Sequence, residues 1–404
     1  MASAEPAPGR TPALPEVFGH VDARQALAAA ARDGRLPRSL LLRGPRGVGK
    51  QRLAHWTAQL LLCADPGPSG PCEACRECRL VRRIEHPGVH WTIPLEKPKS
   101  RGSAERNEEA LEDARIRWIE EARTRPWRAS HQEGMRALHL GTIRNLRRRI
   151  LRGGSGAGPR VFIVSDAEEL VVQEASQEAA NALLKVLEEP PEDVWIILTS
   201  SQPGRLLDTI RSRCTALHLS PLPLDETARI LREEVGVDDD EALRAARLSG
   251  GAPGVALGFV EGWSDADGMG PLEALRRDSF HLLRASLSDG DGARFRKAVD
   301  YPAFGGRGLL DLLAFLELWL RDLAAVMAGN PDRVRNTDAL EWLERQGRSG
   351  RLHPAGPSRS LVALEDARTR AQGNVNPQLL VLGLLRQLNR TLVVPSGPAL
   401  PDAD

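Results

Sequence analysis

Four thiols stand within sixteen residues, at Cys63, Cys72, Cys75 and Cys78. The spacing is C-x8-C-x2-C-x2-C, and two C-x2-C steps can close a tetrahedral zinc site. Pro66, Gly67, Pro68, Gly70 and Pro71 let the intervening loop fold back. With four protein ligands and no open position, such a site is structural, not catalytic. The alternative is a set of free thiols, an unusual fate for clustered cysteines in a reducing compartment. Cys214, the fifth cysteine, reads as a small buried hydrophobe.

A second constellation could hold phosphates. Gly44-Pro-Arg-Gly47-Val-Gly49-Lys50-Gln51 matches G-x-x-x-x-G-K, whose backbone amides and lysine surround nucleotide phosphates at a helix N-terminus. The last position normally carries the Ser or Thr hydroxyl that ligates Mg²⁺. Gln51 stands there instead, with a longer side chain and a carbonyl poorly matched to octahedral Mg²⁺. Downstream, Val161-Phe-Ile-Val-Ser-Asp166-Ala167-Glu168 places Asp166 where an NTPase keeps its metal-positioning carboxylate. The water-activating Glu expected next is replaced by Ala167. Glu168 comes one residue late, and on a continuing strand it would point to the other face. These features predict a loop able to hold ATP but defective in metal-assisted hydrolysis. Finally, Arg211 and Arg213 follow a strand–loop unit in Leu207-Asp-Thr-Ile-Arg-Ser-Arg-Cys214. By themselves they are ordinary solvated arginines. Catalytic Ser-His-Asp, Cys-His and H-E-x-x-H sets are missing from the sequence.

These residues need a scaffold. Ser39 to Leu42, Val161 to Val164 and Val194 to Thr199 are short apolar strand runs. Helical patterns lie between them, at Asp22 to Ala31, Gln51 to Leu62, Thr142 to Leu151 and Ser176 to Glu188. Pro190-Pro191 stops the last of these. Alternating strands and helices imply a parallel sheet. Residues 97–135 differ: dense mixed-sign charge surrounds Leu111, Trp118, Ile119 and Ala122. They predict an exposed helix with flexible flanks, inserted on a compact core and either merely solvated or used for docking or for facing DNA. After Pro221 the strand signal fades, and from Pro271 to Leu392 nearly everything reads helical.

The chain has 404 residues, 41% hydrophobic and 27% charged, with a net charge of +1. That balance excludes a globally basic nucleic-acid binder. A local stripe remains open, since Arg144, Arg148 and Arg152 share a helix face beside Arg147 and Arg149. The Ala- and Pro-rich start reads as a disordered tail, not a signal peptide. Leu309 to Leu320, broken by Asp311 and Glu317, suits a buried helix and not a membrane span. A cytoplasmic location is expected.

In order, the motifs are the phosphate loop, four-Cys insert, acid strand, Asn181-Ala-Leu-Leu-Lys-Val-Leu-Glu-Glu-Pro-Pro191, a Leu-Thr-Ser strand and Ser212-Arg213-Cys214. This order resembles the bacterial clamp-loader subunits, the gamma/tau and delta-prime proteins of DNA polymerase III. The resemblance is strong over residues 16–257 and continues in helical character to about 392. It implies an α/β AAA+ P-loop domain with a parallel sheet and zinc module, then a small helical lid and an all-α collar. The expected division is a tail at 1–15 and the nucleotide domain at 16–221, containing the zinc module (63–78) and the charged insertion (97–135). The lid follows at 222–264, the oligomerising collar at 265–393 and a second tail at 394–404. The resemblance gives Cys63, Cys72, Cys75 and Cys78 the Zn²⁺ ligand role. It makes Arg213 similar to the arginine finger that reaches a neighbouring subunit's ATP, and Thr199 similar to a γ-phosphate sensor.

Within the family, gamma/tau proteins resemble complete ATPases. Gln51, Ala167 and an expected end near the collar place this chain with the delta-prime branch, although Lys50 is kept. Implied partners are gamma/tau and delta-like subunits in a five-subunit ring, and the sliding clamp and primed DNA through that complex. No membrane partner is implied. The chain would count toward DNA polymerase III by membership, with no polymerase site and little ATPase of its own. The alternatives left open are a catalytically active gamma/tau-like motor and a DNA-binding module.

Overall fold

The computed structural model describes residues 14–97, 103–127, 136–152, 158–171, 177–261, 268–301, 306–371, 373 and 375–394. The chain divides into two compact units, separating near residue 257.

In the first unit the elements run α1 (Val21–Arg32), β1 (Ser39–Arg43), α2 (Lys50–Leu62), α3 (Arg76–Arg82), β2 (Val89–Thr92), β3 (Leu95–Glu96) and α4 (Ala104–Thr124). There follow β4 (Arg136–Ala137), α5 (Leu140–Leu151), β5 (Arg160–Val164), α6 (Gln177–Glu188), β6 (Val194–Ser200), α7 (Asp208–Arg211) and β7 (Thr215–His218). The unit closes with α8 (Leu224–Ile230), α9 (Asp239–Ser249) and α10 (Pro253–Ala256). Five strands pair in parallel in the order β2-β5-β6-β1-β7. This is an α/β fold built on a parallel sheet.

The central strands β1, β5 and β6 are apolar on both faces because helices cover both faces. Leu40, Leu42, Val161, Ile163 and Ile197 point into one core with α1 and α2. Leu41, Phe162, Val164, Ile196 and Leu198 point into the other, with α5 and α6. The alternation follows from the two-residue period of a strand. Expected and observed elements agree within about two residues. Ser176 lies outside the described residues.

The insertion departs from expectation. Its helix α4 exists, but one side is docked. Leu111 and Ala122 are buried in the same core as β1. Trp118 meets Trp91 edge to face, with ring centroids 4.8 Å apart. Arg115 donates to the Trp91 carbonyl at 3.2 Å and Arg123 to that of Ile84 at 2.6 Å. Leu111, Ala114, Trp118 and Ala122 form a helical stripe that the surrounding charges mask in the sequence. Most of the expected flexible flanks, 98–102 and 128–135, lie outside the described residues. Docking also changes the reading of the arginine stripe. Glu112 pairs with Arg149 at 2.9 Å and Glu108 with Arg148 at 2.5 Å, so α4 neutralises part of α5. Leu111→Ala should destabilise this unit by ~2–5 kcal/mol, the cost of an emptied core site. Ile116→Ala, on the exposed side, should stay within about 0.5 kcal/mol. Equal denaturation midpoints for the two variants would refute the docking.

Position 14, expected within the N-terminal tail, is packed instead. Leu14 is buried, and its amide donates to the Arg82 carbonyl at 2.7 Å. Residues 1–13 and 395–404 lie outside the described residues.

The second unit contains α11 (Pro271–Ser286), α12 (Asp291–Val299), α13 (Gly306–Met327), α14 (Leu340–Arg348), α15 (Gly356–Ala371) and α16 (Pro377–Leu392). Its core centres on α13, where Leu309, Leu312, Leu313, Leu316, Trp319, Leu320 and Leu323 are buried at helical spacing. The Leu309 to Leu320 run is therefore a core helix. Among the described residues no helix is long and apolar enough to cross a membrane.

Candidate functional site: phosphate loop, cysteine cluster and exposed arginine

β1 ends beside β6, and the chain then turns through Gly44 to Gly49 into α2. Open parallel sheets bind ligands outside the carboxyl ends of their strands, and the expected nucleotide residues gather there. The glycines are required by geometry. Gly44 and Gly47 have φ of +154° and +68°. A Cβ on Gly44 would lie 2.2 Å from the Leu219 carbonyl oxygen, and one on Gly47 2.5 Å from the Val255 amide nitrogen. Gly254 donates to the Gly47 carbonyl at 2.9 Å, so the 222–257 segment rests on the loop.

Lys50 is buried. Its ammonium donates to the carbonyls of Gly44 (2.8 Å) and Pro45 (2.7 Å) and to the Ser201 hydroxyl (3.0 Å). Burial pulls its pKa down to about 8, with Asp166 and Glu168 opposing that shift. Thr199 is fully buried at the end of β6, and its hydroxyl accepts from the Asp166 amide at 3.1 Å. Gln51 lies in the first turn of α2. Ala167 is fully buried among apolar side chains, so the position after Asp166 offers no carboxylate.

Glu168 corrects the sequence reading. The strand stops at Val164, Asp166 takes φ +48°, and residues Ala167–Val171 form a 3₁₀ turn. The chain thus bends before the strand alternation can apply. Glu168 is buried, accepts from the Ser201 amide at 2.9 Å, and leaves its second carboxylate oxygen without a hydrogen bond. The site therefore contains a carboxylate that strand periodicity assigned to the opposite face. His20, also missed, reaches the loop by hydrogen bonding the Val48 carbonyl at 2.8 Å. No spacing rule points to it.

The four cysteines come together as expected. Their sulfurs lie within 4.8 Å of one another. A tetrahedral site with ~2.3 Å Zn–S bonds needs sulfurs ~3.8 Å apart, so a small contraction suffices. Amides of Cys72, Cys75 and Cys78 donate to the sulfurs of Cys63, Cys72 and Cys75 at 3.2, 3.3 and 3.4 Å. Donors aimed at sulfur favour thiolate, the ligating form. Burial raises the Cys75 thiol, but hydrogen bonds from Ala64 and Cys78 outweigh it and bring it to about 6. Burial and the neighbouring thiols push Cys78 up. The donor set and spacing fit a structural metal ion.

Arg213 lies between buried Ile210 and buried Cys214, with its side chain about one-third exposed. Its Nε donates to Glu188 at 2.8 Å and its Nη1 to the Thr209 carbonyl at 2.9 Å. Arg211 is paired with Asp208. The structure does not bring Arg213 into hydrogen bonding with the chain's own phosphate loop.

The sequence profile of the family described as DNA polymerase III, delta subunit, matches residues 19–223, just over half of the 404-residue chain. The chain belongs to this family. The delta' subunit of Escherichia coli K12 is 30% identical over 236 residues, which cover 58% of each chain. That of Bacillus subtilis is 25% identical over 88% of this chain and 91% of its own. The gamma/tau subunit of Mycobacterium tuberculosis is 29% identical over 62% of this chain and 37% of its own. The chain spans 58% and 52% of the lengths of the delta' relatives from Escherichia coli and Pseudomonas aeruginosa. Among solved structures, a gamma subunit-related protein of DNA polymerase III from Thermotoga maritima aligns at 16% identity. That alignment covers 90% of this chain and 99% of the other, with a TM-score of 0.33.

Proposed function

We propose that this chain is a delta-prime-type subunit of a bacterial clamp loader, which stimulates ATP hydrolysis in a neighbour and hydrolyses little itself. The carrying observation is the state of the phosphate site. Gly44, Gly47, Gly49, Lys50, Asp166 and Thr199 are assembled, while Gln51 and Ala167 occupy the positions of the Mg²⁺ hydroxyl and the water-activating carboxylate. Such a site would bind ATP through the loop amides and Lys50 without supplying metal-assisted attack. Arg213, half-buried and away from that loop, would instead serve the adjacent subunit as a finger in trans.

Residues 222–264 would act as the lid. Residues 265–393 would form the collar that joins gamma/tau and delta-like subunits in a five-membered ring. That ring would open the sliding clamp and load it on primed DNA in the cytoplasm. The cysteine cluster would hold one Zn²⁺ and keep its loop folded, with no chemical role.

A second reading, an active gamma/tau-like ATPase, draws on Glu168, whose carboxylate lies close enough to Lys50 to act on its charge. The isolated chain separates the two. Under the first reading its turnover stays at background with clamp and primed DNA, and Lys50→Ala changes nothing. Turnover abolished by both Lys50→Ala and Glu168→Gln would establish the second.

A further inference from the structure

Arg213 is held by a side chain outside its own loop, Glu188. Glu188 closes the last turn of α6, just before Pro190-Pro191 ends the helix. A carboxylate is poorly placed there, because the C-terminal end of the helix dipole repels anions. Arg213 offsets that repulsion. Its Nε and Nη2 both engage Glu188 Oε1, the former at 2.8 Å, while Nη1 donates to the Thr209 carbonyl at 2.9 Å. Three of the five guanidinium N–H groups are thereby directed. One hydrogen on each terminal nitrogen remains, on a side chain about one-third exposed. The backbone beneath is fixed by Ile210 and Cys214, both buried in the core that also takes in α6.

We propose that Glu188 is a positioning residue for Arg213. It fixes the guanidinium plane so that its outer edge meets the phosphoryl group of a nucleoside triphosphate held by a neighbouring subunit. An arginine on a flexible stem loses rotamer freedom when it binds. One already clamped at Nε and Nη1 has lost that freedom before the neighbour's nucleotide arrives, and the saving falls on the transition state, where geometry matters most. The inference rests on the trans-finger reading of Arg213 and adds to it the residue that aims the finger.

The test uses the complete ring, assembled with gamma/tau- and delta-type partners, and reads steady-state ATP turnover with clamp and primed DNA. Glu188→Ala is expected to lower kcat by roughly 10- to 100-fold, the scale of a small misplacement, with KM for ATP unchanged. Glu188→Gln keeps an oxygen acceptor and should recover most of the loss. The double variant Glu188→Ala/Arg213→Ala should be no slower than Arg213→Ala alone. Glu188 is about half exposed, so folding is preserved, and recovery of the variants in the ring confirms it. Unchanged or faster turnover for Glu188→Ala, or losses that add in the double variant, would overturn the proposal while leaving the finger in place. An Arg213→Ala ring with full turnover would overturn both.

Discussion

Replacing Arg213 with alanine is expected to reduce stimulated ATP turnover at the interface it serves by about 10³–10⁵-fold, the range over which a supplied arginine finger accelerates phosphoryl transfer. The charge that builds on the transferring phosphoryl group has to be matched by cations, and a site completed by its neighbour is left one cation short without Arg213. Lysine should not substitute. Its ammonium is a point charge, whereas guanidinium offers a planar fork, and only the fork can bond Glu188 and a phosphate at once. The measurement is turnover of the assembled ring with clamp and primed DNA, alongside ATP binding by filter retention. The expected pattern is binding intact and turnover lost. Turnover equal to the unaltered ring would remove the finger role, and with it the main chemical task assigned to the chain. The isolated chain should not respond to the substitution, because Arg213 makes no hydrogen bond to its own phosphate loop and is held on α6 and the Thr209 carbonyl.

Much of this was legible in the sequence, for identifiable reasons. Strands β1, β5 and β6 are buried on both faces, so they appear as uninterrupted apolar runs. The phosphate loop is fixed by glycines whose side-chain positions are filled by Leu219 and Val255. The cysteine cluster follows from ligand spacing alone. What was misread depended on where periodicity stops. Glu168 falls one residue past the strand, and only the left-handed turn at Asp166 brings its carboxylate back to Ser201. Helix α4 looked solvated because its charges outnumber its apolar residues. A stripe of four is enough to dock it, and two of its acids are used on Arg148 and Arg149. Leu14 looked like tail because one buried leucine and one backbone hydrogen bond leave no pattern. The Arg213–Glu188 pair joins residues 25 apart, with β6, a 3₁₀ turn and α7 between them, and no local rule reports such a distance.

Loss of the metal should be felt at the phosphate loop, because one helix joins the two sites. Helix α2 begins at Lys50 and ends at Cys63, its C-cap, so the ammonium and the first thiol stand at opposite ends of a rod ~20 Å long. The cysteine loop is seated on that rod. Gly70 lies so close to the Trp56 ring that a Cβ there would come within 2.5 Å of it, and Gln59 donates to the Cys78 carbonyl at 3.2 Å. Without a metal, no bond ties the four sulfurs that lie within 4.8 Å of one another, and the loop's few apolar contacts cannot hold it closed. Structural Zn²⁺ contributes ~10–16 kcal/mol of binding free energy in isolated zinc-finger peptides. Much of that is consumed in folding the peptide. In this chain the net loss is expected at ~4 kcal/mol or more, a size reserved for the severest single changes, lowering the Tm of the first unit by ~8–16 °C. Native protein should contain one zinc per chain, and Cys78→Ser, at the buried ligand, should contain none and melt at the chelated protein's temperature. Because α2 frays from the Cys63 end, the Cys78→Ser chain should also bind ATP more weakly, although no cysteine ligand lies in the phosphate loop. Less than one zinc per chain, or a Tm indifferent to a strong chelator, would show that the four thiols are not a metal site. A lowered Tm with ATP binding untouched would show that α2 keeps its first turns without its last.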